Sequence, residues 1–105
     1  MLGRIEISKS GMNIKLPIEL LRENGRVVMY THALDLCGYG KTPEEAKKDF
    51  EGAVNIFFEE TLAHKTLDAA LEELGWKKVS LPTKQYWEPQ VEVISSSLEE
   101  ITIPA

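Results

Sequence analysis

The sequence predicts an α+β domain, in which a three-stranded antiparallel sheet packs against one long and one short helix and further strands follow towards the C-terminus. Three observations support this fold class. Apolar residues alternate before residue 35, a well-capped helix begins near residue 43, and apolar residues alternate again after residue 90. The chain has 105 residues, of which 43% are hydrophobic and 28% are charged. This length and composition indicate a single folded domain spanning residues 1–105.

The first two predicted strands form a hairpin. Apolar residues alternate with other residues over 14–21, and strand-forming residues follow over 26–33. Between them Asn24-Gly25 favours a type I′ turn, because both residues tolerate positive φ. A two-residue loop fixes the register of the strands. The pairs expected on the apolar face are Leu20 with Met29, Ile18 with Thr31, and Leu16 with Ala33.

A third strand is expected at residues 36–39, where Gly38 leaves the backbone free near the end of the strand. Pro17 has no N–H to donate to a neighbouring strand, so the first strand is expected to lie at a sheet edge near this residue. The hairpin face that carries Leu21 is more mixed in composition and is expected to be half exposed.

The start of the long helix is the clearest local signal. Thr42 takes the N-cap position, Pro43 the first helical position and Glu45 the third. We expect the Thr42 hydroxyl to accept from the Glu45 amide, and the Glu45 carboxylate to accept from the Thr42 amide. The helix is expected to end at about Leu62 or His64. Its apolar stripe consists of Ala46, Phe50, Ala53, Val54 and Phe57.

A second, shorter helix follows the first. Thr66 is expected to cap its start, and Gly75 is expected to end it in the left-handed conformation. Trp76 is then expected to pack back on Leu71. The remaining pattern predicts a strand at 77–80, a loop at 81–89, and strands at 91–94 and 98–103.

Charge and composition exclude several classes of protein. The chain has 17 acidic and 12 basic residues, and the acidity is concentrated in residues 43–75, so the basic stripe of a nucleic-acid-binding protein is missing. No apolar run approaches the ~20 residues of a membrane span, and no signal peptide is expected. A single cysteine, Cys37, makes no internal disulfide. We therefore expect a cytoplasmic protein.

Catalysis is not expected from this sequence. A cysteine hydrolase would need Cys37 beside a histidine, and His32 and His64 are the two candidates, but no signature of such enzymes surrounds the cysteine. A two-metal nuclease would need several converging carboxylates, and near the strands only Glu19 and Asp35 are well placed. We therefore predict no catalytic residue and a protein that is not an enzyme.

Neither a metal ion nor a cofactor is expected. The two histidines and the cysteine lie far apart in the sequence, without the short ligand spacing of structural zinc sites. The segment Gly38-Tyr39-Gly40 precedes a helix, as phosphate-binding loops do, but it lacks their third glycine and their Lys-Ser/Thr ending.

One segment carries a recognisable motif. After a strand that contains Tyr30, a corner leads to Gly-x-Thr-x-x-Glu-Ala at the start of the long helix. The run 34–46 resembles the HicB-like antitoxin family in this order, and Leu74-Gly75-Trp76 is similar to the end of that family's second helical segment. The resemblance covers about residues 14–79. The motif residues are Cys37, Gly38, Gly40, Thr42, Glu45 and Ala46.

The resemblance implies both a fold and a function. The fold would be a partial RNase H-like domain in the order β-β-β-α-β, without the catalytic carboxylates of that fold. The function would be that of a non-catalytic protein-binding module, which masks a small basic mRNA-cleaving toxin usually called HicA. We expect Tyr30, His32 and Tyr39 to be candidate contacts with the partner.

A second interpretation stays open. Members of this family often carry a helix-turn-helix or ribbon-helix-helix segment after the core, but residues 80–105 contain no such motif, so direct DNA binding is not expected. The chain would then be a solitary HicB-like protein with a homo-oligomeric or small-ligand-binding role and no toxin partner. Because apolar strands are expected at both ends of the core, we predict a homodimer or higher oligomer assembled partly through the C-terminal strands.

Overall fold

The computed structural model describes residues 3–104. They form two antiparallel sheets, of three and four strands, and two helices, so the predicted α+β class is confirmed. In this part of the chain no helix has both the length and the apolar composition needed to cross a membrane. In chain order the elements are β1 (Arg4–Ser8), β2 (Gly11–Lys15), β3 (Glu19–Glu23), β4 (Arg26–Thr31), β5 (Leu36–Gly40), α1 (Pro43–Ala63), α2 (Leu67–Glu73), β6 (Trp76–Ser80) and β7 (Gln85–Pro89).

The predicted hairpin forms part of the three-stranded sheet, whose order is β3-β4-β5. The turn residues have positive φ, 51° at Asn24 and 78° at Gly25, as a type I′ turn requires. The expected pairing of Leu20 with Met29 is present, and β5 supplies the third strand. The local turn chemistry was therefore sufficient to predict this register.

The strand predicted over residues 14–21 is instead split between β2 and β3, which belong to different sheets. The break contains Pro17, which has no N–H to donate to a ladder. The chain leaves the four-stranded sheet before this proline and enters the three-stranded sheet after it. The pairs that the break removes are Ile18 with Thr31 and Leu16 with Ala33.

The long helix has the predicted bounds, Pro43–Ala63, and packs mainly against β5. It ends in a Schellman motif, in which the Thr66 N–H donates to the Thr61 carbonyl at 2.8 Å and the Lys65 N–H donates to the Leu62 carbonyl at 3.2 Å. Lys65 has φ 57° and occupies the left-handed position that glycine usually takes. For this reason the sequence shows no glycine stop signal here.

The end of α1 buries a residue that the predicted stripe omitted. Phe58 is 5% exposed and belongs to the main core, whereas Phe57 is only partly buried and packs against that core. The two rings meet edge to face, with centroids 5.1 Å apart. The helix turns this face towards the four-stranded sheet, so tertiary position decides which phenylalanine is central.

The second helix differs from the prediction at its start. The Thr66 side chain makes no capping hydrogen bond, because this residue also closes α1 and has φ −113° and ψ 9°, unlike the extended backbone of a usual N-cap. At the other end Gly75 has φ 91°, as predicted. Trp76 and Leu71 are both buried in one cluster, which agrees with the expected packing.

The four-stranded sheet has the order β2-β1-β7-β6. Its inner strand β7 lies in the segment predicted to be a loop, 81–89, so that prediction was wrong. The prolines that suggested a loop lie before the strand and at its last residue, Pro82 and Pro89, where neither breaks the ladder. Trp87 is 0% exposed and lies opposite Ile5, which is also 0% exposed.

The main core lies between the four-stranded sheet, α2 and the end of α1. β6 follows the helices, as the order β-β-β-α-β requires, but it pairs with β7 in this sheet and not with β3-β4-β5. The core residues are Ile5, Ala33, Leu34, Phe58, Leu67, Leu71, Trp76 and Trp87.

Residues 91–104, which we call the C-terminal tail, contain no helix or strand. The strands predicted at 91–94 and 98–103 are therefore absent, because an alternating pattern forms a strand only where a sheet edge accepts it. Six apolar side chains of the tail are more than half exposed, up to 100% at Leu98. The radius of gyration is 16.6 Å, against roughly 13 Å for a compact domain of 100 residues.

Candidate partner-binding site

The three-stranded sheet has one face covered by α1 and one face open. Met29 is in register with Gly38, whose backbone touches α1, so both lie on the helix side. Side chains alternate along a strand, so Val28 and Tyr30 lie on the opposite side. We call the residues of this open side the tyrosine face: Leu21, Val28, Tyr30, Cys37 and Tyr39.

Two glycines of the motif allow the helix to approach the sheet. A Cβ at Gly38 would lie 2.2 Å from the Phe50 nitrogen, and a Cβ at Gly40 would lie 2.5 Å from the Ala46 nitrogen. These are distances that real Cβ atoms do not reach, so only glycine fits at either position. The glycines are thus packing residues of the helix–sheet contact.

The rest of the motif starts α1. The Glu45 N–H donates to the Thr42 hydroxyl oxygen at 3.2 Å, as predicted. The second half of the capping box differs, because the Glu45 carboxylate accepts from the Thr42 hydroxyl at 3.5 Å rather than from its amide. Ala46 is 0% exposed beneath the sheet. These three residues start the helix and hold it in place against the sheet.

The tyrosine face is built from two rows across the sheet. In one row Leu21 pairs with Val28 and Val28 with Tyr39, and in the next row Tyr30 pairs with Cys37. Val28 is 4% exposed at the centre, while Leu21 is 47% and Tyr39 is 42% exposed at the sides. The face therefore presents an apolar centre flanked by groups that can donate and accept hydrogen bonds.

A hydrogen bond orients Tyr30. Its hydroxyl donates to the Asp35 carboxylate at 3.0 Å, and Asp35 occupies the left-handed region at φ 53° in the turn before β5. The carboxylate favours the neutral phenol, so this hydrogen bond raises the pKa of Tyr30 above its ordinary value. The phenol is thereby kept protonated and held against the sheet.

Tyr39 is held from two sides. The Cys37 thiol donates to its hydroxyl oxygen at 3.3 Å, and the Arg26 guanidinium lies 4.6 Å from the centre of its ring. This hydrogen bond to Cys37 raises the pKa of Tyr39. Both tyrosines of the face are therefore ordered by neighbouring side chains.

His32 is the predicted contact that the structure places elsewhere. Its Nε2 lies 3.3 Å from the Val91 carbonyl oxygen at the start of the C-terminal tail. The other histidine, His64, lies 3.4 Å from the Glu60 carboxylate near the end of α1. Cys37 is hydrogen-bonded to a tyrosine, so the cysteine–histidine pair considered from the sequence is not formed between the described residues.

Carboxylates do not gather into a site on this sheet. Among residues 3–104 no group of three or more His, Cys, Asp or Glu side chains is placed to hold a metal ion. Glu19 pairs with Tyr30 across the strands, and Asp35 accepts from the same tyrosine. Both carboxylates therefore flank one phenol.

The acidic surface lies on the helices, on the other side of the sheet from the tyrosine face. The two helices contain nine carboxylates and two lysines. Within the described chain, ion pairs in this region join Glu60 to His64 and Asp68 to Lys78. The acidic charge can attract a basic partner from a distance, but it does not lie where the tyrosine face would touch it.

Three residues of the site were not proposed from the sequence, namely Leu21, Val28 and Arg26. All three belong to the hairpin whose register the Asn24-Gly25 turn had already fixed. Continuing that register to the third strand places Val28 between Leu21 and Tyr39, and the Arg26 guanidinium lies over the Tyr39 ring. The signal was present, but the face was interpreted only as mixed and half exposed.

No protein-family model, curated protein or solved structure matches this chain. The resemblance to HicB-like antitoxins accordingly stays a prediction that rests on the motif. The roles of the motif residues described above come from their contacts alone.

Proposed function

We propose that this protein is a non-catalytic protein-binding module of the HicB-like antitoxin type, which masks a small basic mRNA-cleaving toxin in the cytoplasm. The observation that carries the proposal is the tyrosine face, on which no helix of the described chain packs. Tyrosine is enriched at protein–protein interfaces because one side chain offers both a large apolar ring and a hydrogen-bonding group.

The side chains of the tyrosine face are held in place by their neighbours, which also supports a role in binding. Asp35 fixes the hydroxyl of Tyr30, and Arg26 and Cys37 fix the ring of Tyr39. Side chains that are held in place before binding lose less conformational entropy on binding, which strengthens an interface of given size. Leu21 and Val28 supply the apolar centre between them.

Charge supports a basic partner. The net charge of the chain is −5, and the exposed helices carry most of it. Complementary charge raises the rate of association even when the charged groups lie outside the contact. A basic ribonuclease would therefore be drawn to this protein and would dock on the sheet side.

The test first looks beside the gene for this chain for a gene that encodes a small basic ribonuclease, and then uses the purified product of that gene. We expect the purified proteins to form a stoichiometric complex by isothermal titration calorimetry, and RNA cleavage to stop at equimolar ratio. Tyr39→Asp should weaken binding at least about tenfold, since it places a charge in the interface. The matched control is Leu62→Asp, which changes a 51% exposed side chain near the end of α1.

Three outcomes would contradict the proposal. The first is the absence of any such ribonuclease in the genome, and the second is normal inhibition by Tyr39→Asp. The third is RNA cleavage by the purified protein alone, with or without divalent metal, that disappears in Glu19→Gln or Asp35→Asn. Circular dichroism of each variant separates a loss of binding from a loss of fold.

A further inference from the structure

Each chain carries an apolar segment that no other residue of the described range 3–104 covers. Of the side chains in the C-terminal tail, Ile94 is 91% exposed, Leu98 100%, Ile101 78% and Ile103 80%. Apolar surface of this extent is unfavourable in water, and contiguous apolar patches on a soluble protein mark interaction sites. The tail is therefore one half of a contact.

The same chain carries an apolar recess beside α1. The helix packs mainly against β5, less against β4, and leaves β3 uncovered. On the helix side of β3, Leu20 is 54% exposed. Two residues before Leu20, Ile18 lines a groove of about 310 Å³ between the chain before β3 and the helix. The other apolar residues of its lining are Ile14, Leu16, Phe50 and Val54.

The two outer edges of the three-stranded sheet differ in whether a side chain blocks their backbone groups. At β5 the Tyr39 N–H donates to the Asp49 carboxylate of α1 at 2.8 Å, so a side chain blocks this edge. β3 pairs with β4 and, among the described residues, with no other strand. Its outward backbone groups are therefore open to an added strand.

The tail begins next to the recess. Val91 is held through its carbonyl by His32, and Val93 lines a small cleft with Pro17 and Ile18. Ile18 also lines the groove beside α1. The tail nevertheless leaves the recess of its own chain open, so an unfilled recess and an uncovered segment lie side by side at one end of the molecule.

We propose that the tail of one copy adds as a strand to the open edge of β3 in a second copy, and that the exchange is reciprocal. A twofold axis that passes beside Ile18 relates the two copies, so that the tail of each copy lies against the recess of the other. This is the arrangement of an isologous dimer. The residues added are 99–103, which match the five residues of β3 in length.

Side-chain alternation supports this pairing. Glu99, Ile101 and Ile103 share one face of an extended tail, and Leu20 and Arg22 share the helix side of β3. The isoleucines then fill the recess, and the Glu99 carboxylate meets Arg22. Within residues 3–104 the Arg22 guanidinium makes no ion pair with another side chain.

The tail is long enough to reach across a second copy. The twelve residues from Val93 to Pro104 span roughly 40 Å when extended, which is more than the width of the molecule at 32 or 24 Å. A standard interface buries roughly 800 Å² on each partner. In the exchanged dimer each copy contributes both a tail and a recess to that area.

The experiment is analytical ultracentrifugation of the full chain from micromolar to high micromolar concentration. We expect a dimer for the natural sequence and for the control Ile56→Asp, whose exposed side chain lies outside tail and recess. Leu20→Asp in the recess or Ile101→Asp in the tail should raise the dimer Kd at least about tenfold. The aspartates replace side chains that are 54% and 78% exposed in one copy, so each monomer keeps its fold.

A mixture distinguishes exchange from a tail that folds back on its own chain. Leu20→Asp has an intact tail and Ile101→Asp an intact recess, so an equimolar mixture should regain one of the two contacts and form heterodimers. A monomer at every concentration, a dimer unaffected by both variants, or a mixture that stays as monomeric as its components would each overturn the proposal. Arg22→Glu should weaken the dimer, and adding Glu99→Arg should restore it.

Discussion

The indole Nε1–H of Trp76 donates to the carbonyl oxygen of Ala33 at 2.6 Å, and both residues are buried. Trp76 begins β6 of the four-stranded sheet, whereas Ala33 lies in the turn between β4 and β5 of the other sheet. This hydrogen bond therefore joins the two sheets inside the core. It also satisfies a carbonyl that would otherwise be buried without a partner.

Trp76→Phe should destabilise the protein more than Trp87→Phe does. Both changes remove similar volume from the core, but only the first removes a hydrogen bond, because Trp87 Nε1 has no partner among the described residues. The unfolding free energies should differ by about 1–3 kcal/mol, the cost of leaving the Ala33 carbonyl unpaired. Urea unfolding measures both variants, and equal losses would show that the bond contributes nothing net.

Gly38→Ala should be strongly destabilising. The new Cβ would collide with the backbone of α1 near Phe50, so the helix must move off the sheet, and overpacking of this kind costs about 1–3 kcal/mol or more. The matched control is Gly52→Ala in α1, where nothing lies within 4 Å of the added Cβ. It should stabilise the helix by about 0.5–1 kcal/mol.

Thermal or urea unfolding of the two glycine variants tests this contrast. The free energy of unfolding should fall for Gly38→Ala and rise for Gly52→Ala. A harmless alanine at position 38 would mean that α1 does not lie as close to β5 as the structure shows. It would also leave this motif glycine without the packing role that its contact with α1 indicates.

Thr31→Val should leave stability unchanged or raise it by about 1 kcal/mol. The Thr31 side chain is 0% exposed and its hydroxyl has no partner in the described part of the chain, so the change removes a polar group buried without compensation. The control is Thr61→Val, since the Thr61 hydroxyl donates to the Phe57 carbonyl at 2.8 Å.

The control variant should lose about 1 kcal/mol with its hydrogen bond. Both substitutions replace a hydroxyl by a methyl group of similar shape, so the difference between them reports hydrogen bonding alone. If Thr31→Val proves the more damaging change, the Thr31 hydroxyl is hydrogen-bonded in solution and the interpretation of it as unpaired is wrong.

Stability should fall at alkaline pH through Tyr30. Its pKa is raised in the folded protein by the hydrogen bond to Asp35, so between the unfolded and folded pKa values the native state holds more protons than the unfolded state. The contribution of Tyr30 to the stability of the fold is therefore complete below about pH 10, the ordinary pKa of tyrosine. It is lost as the pH rises above that value.

Urea unfolding at pH 8 and pH 11 measures this effect. The natural protein should lose more stability over that interval than Tyr30→Phe or Asp35→Asn, which lack the hydrogen bond. Because all three proteins share their other titrating groups, the comparison cancels the general effect of alkali. An identical loss in all three would remove the hydrogen bond as its cause.

Local chemistry in the sequence was enough to predict several elements. Asn24-Gly25 set the hairpin and its register, because few residues accept the φ values of that turn. Thr42-Pro43 set the start of α1, because the first amides of a helix need an acceptor. The same register placed Tyr30 on the hairpin face that was expected to be half exposed, and the third strand adds Tyr39 to that face.

Features that depend on contacts between distant parts of the chain could not be predicted from such local signals. The hairpin, the helices and the motif could be predicted from the sequence alone, because their signals are interactions between residues only a few positions apart. Local signals did not show that Pro17 divides one apolar run between two sheets, that Trp87 lies in an inner strand, or that no strand of the described residues pairs with the alternating tail. A strand exists only where another strand accepts its backbone groups, and the identity of that neighbour depends on residues far away in the sequence.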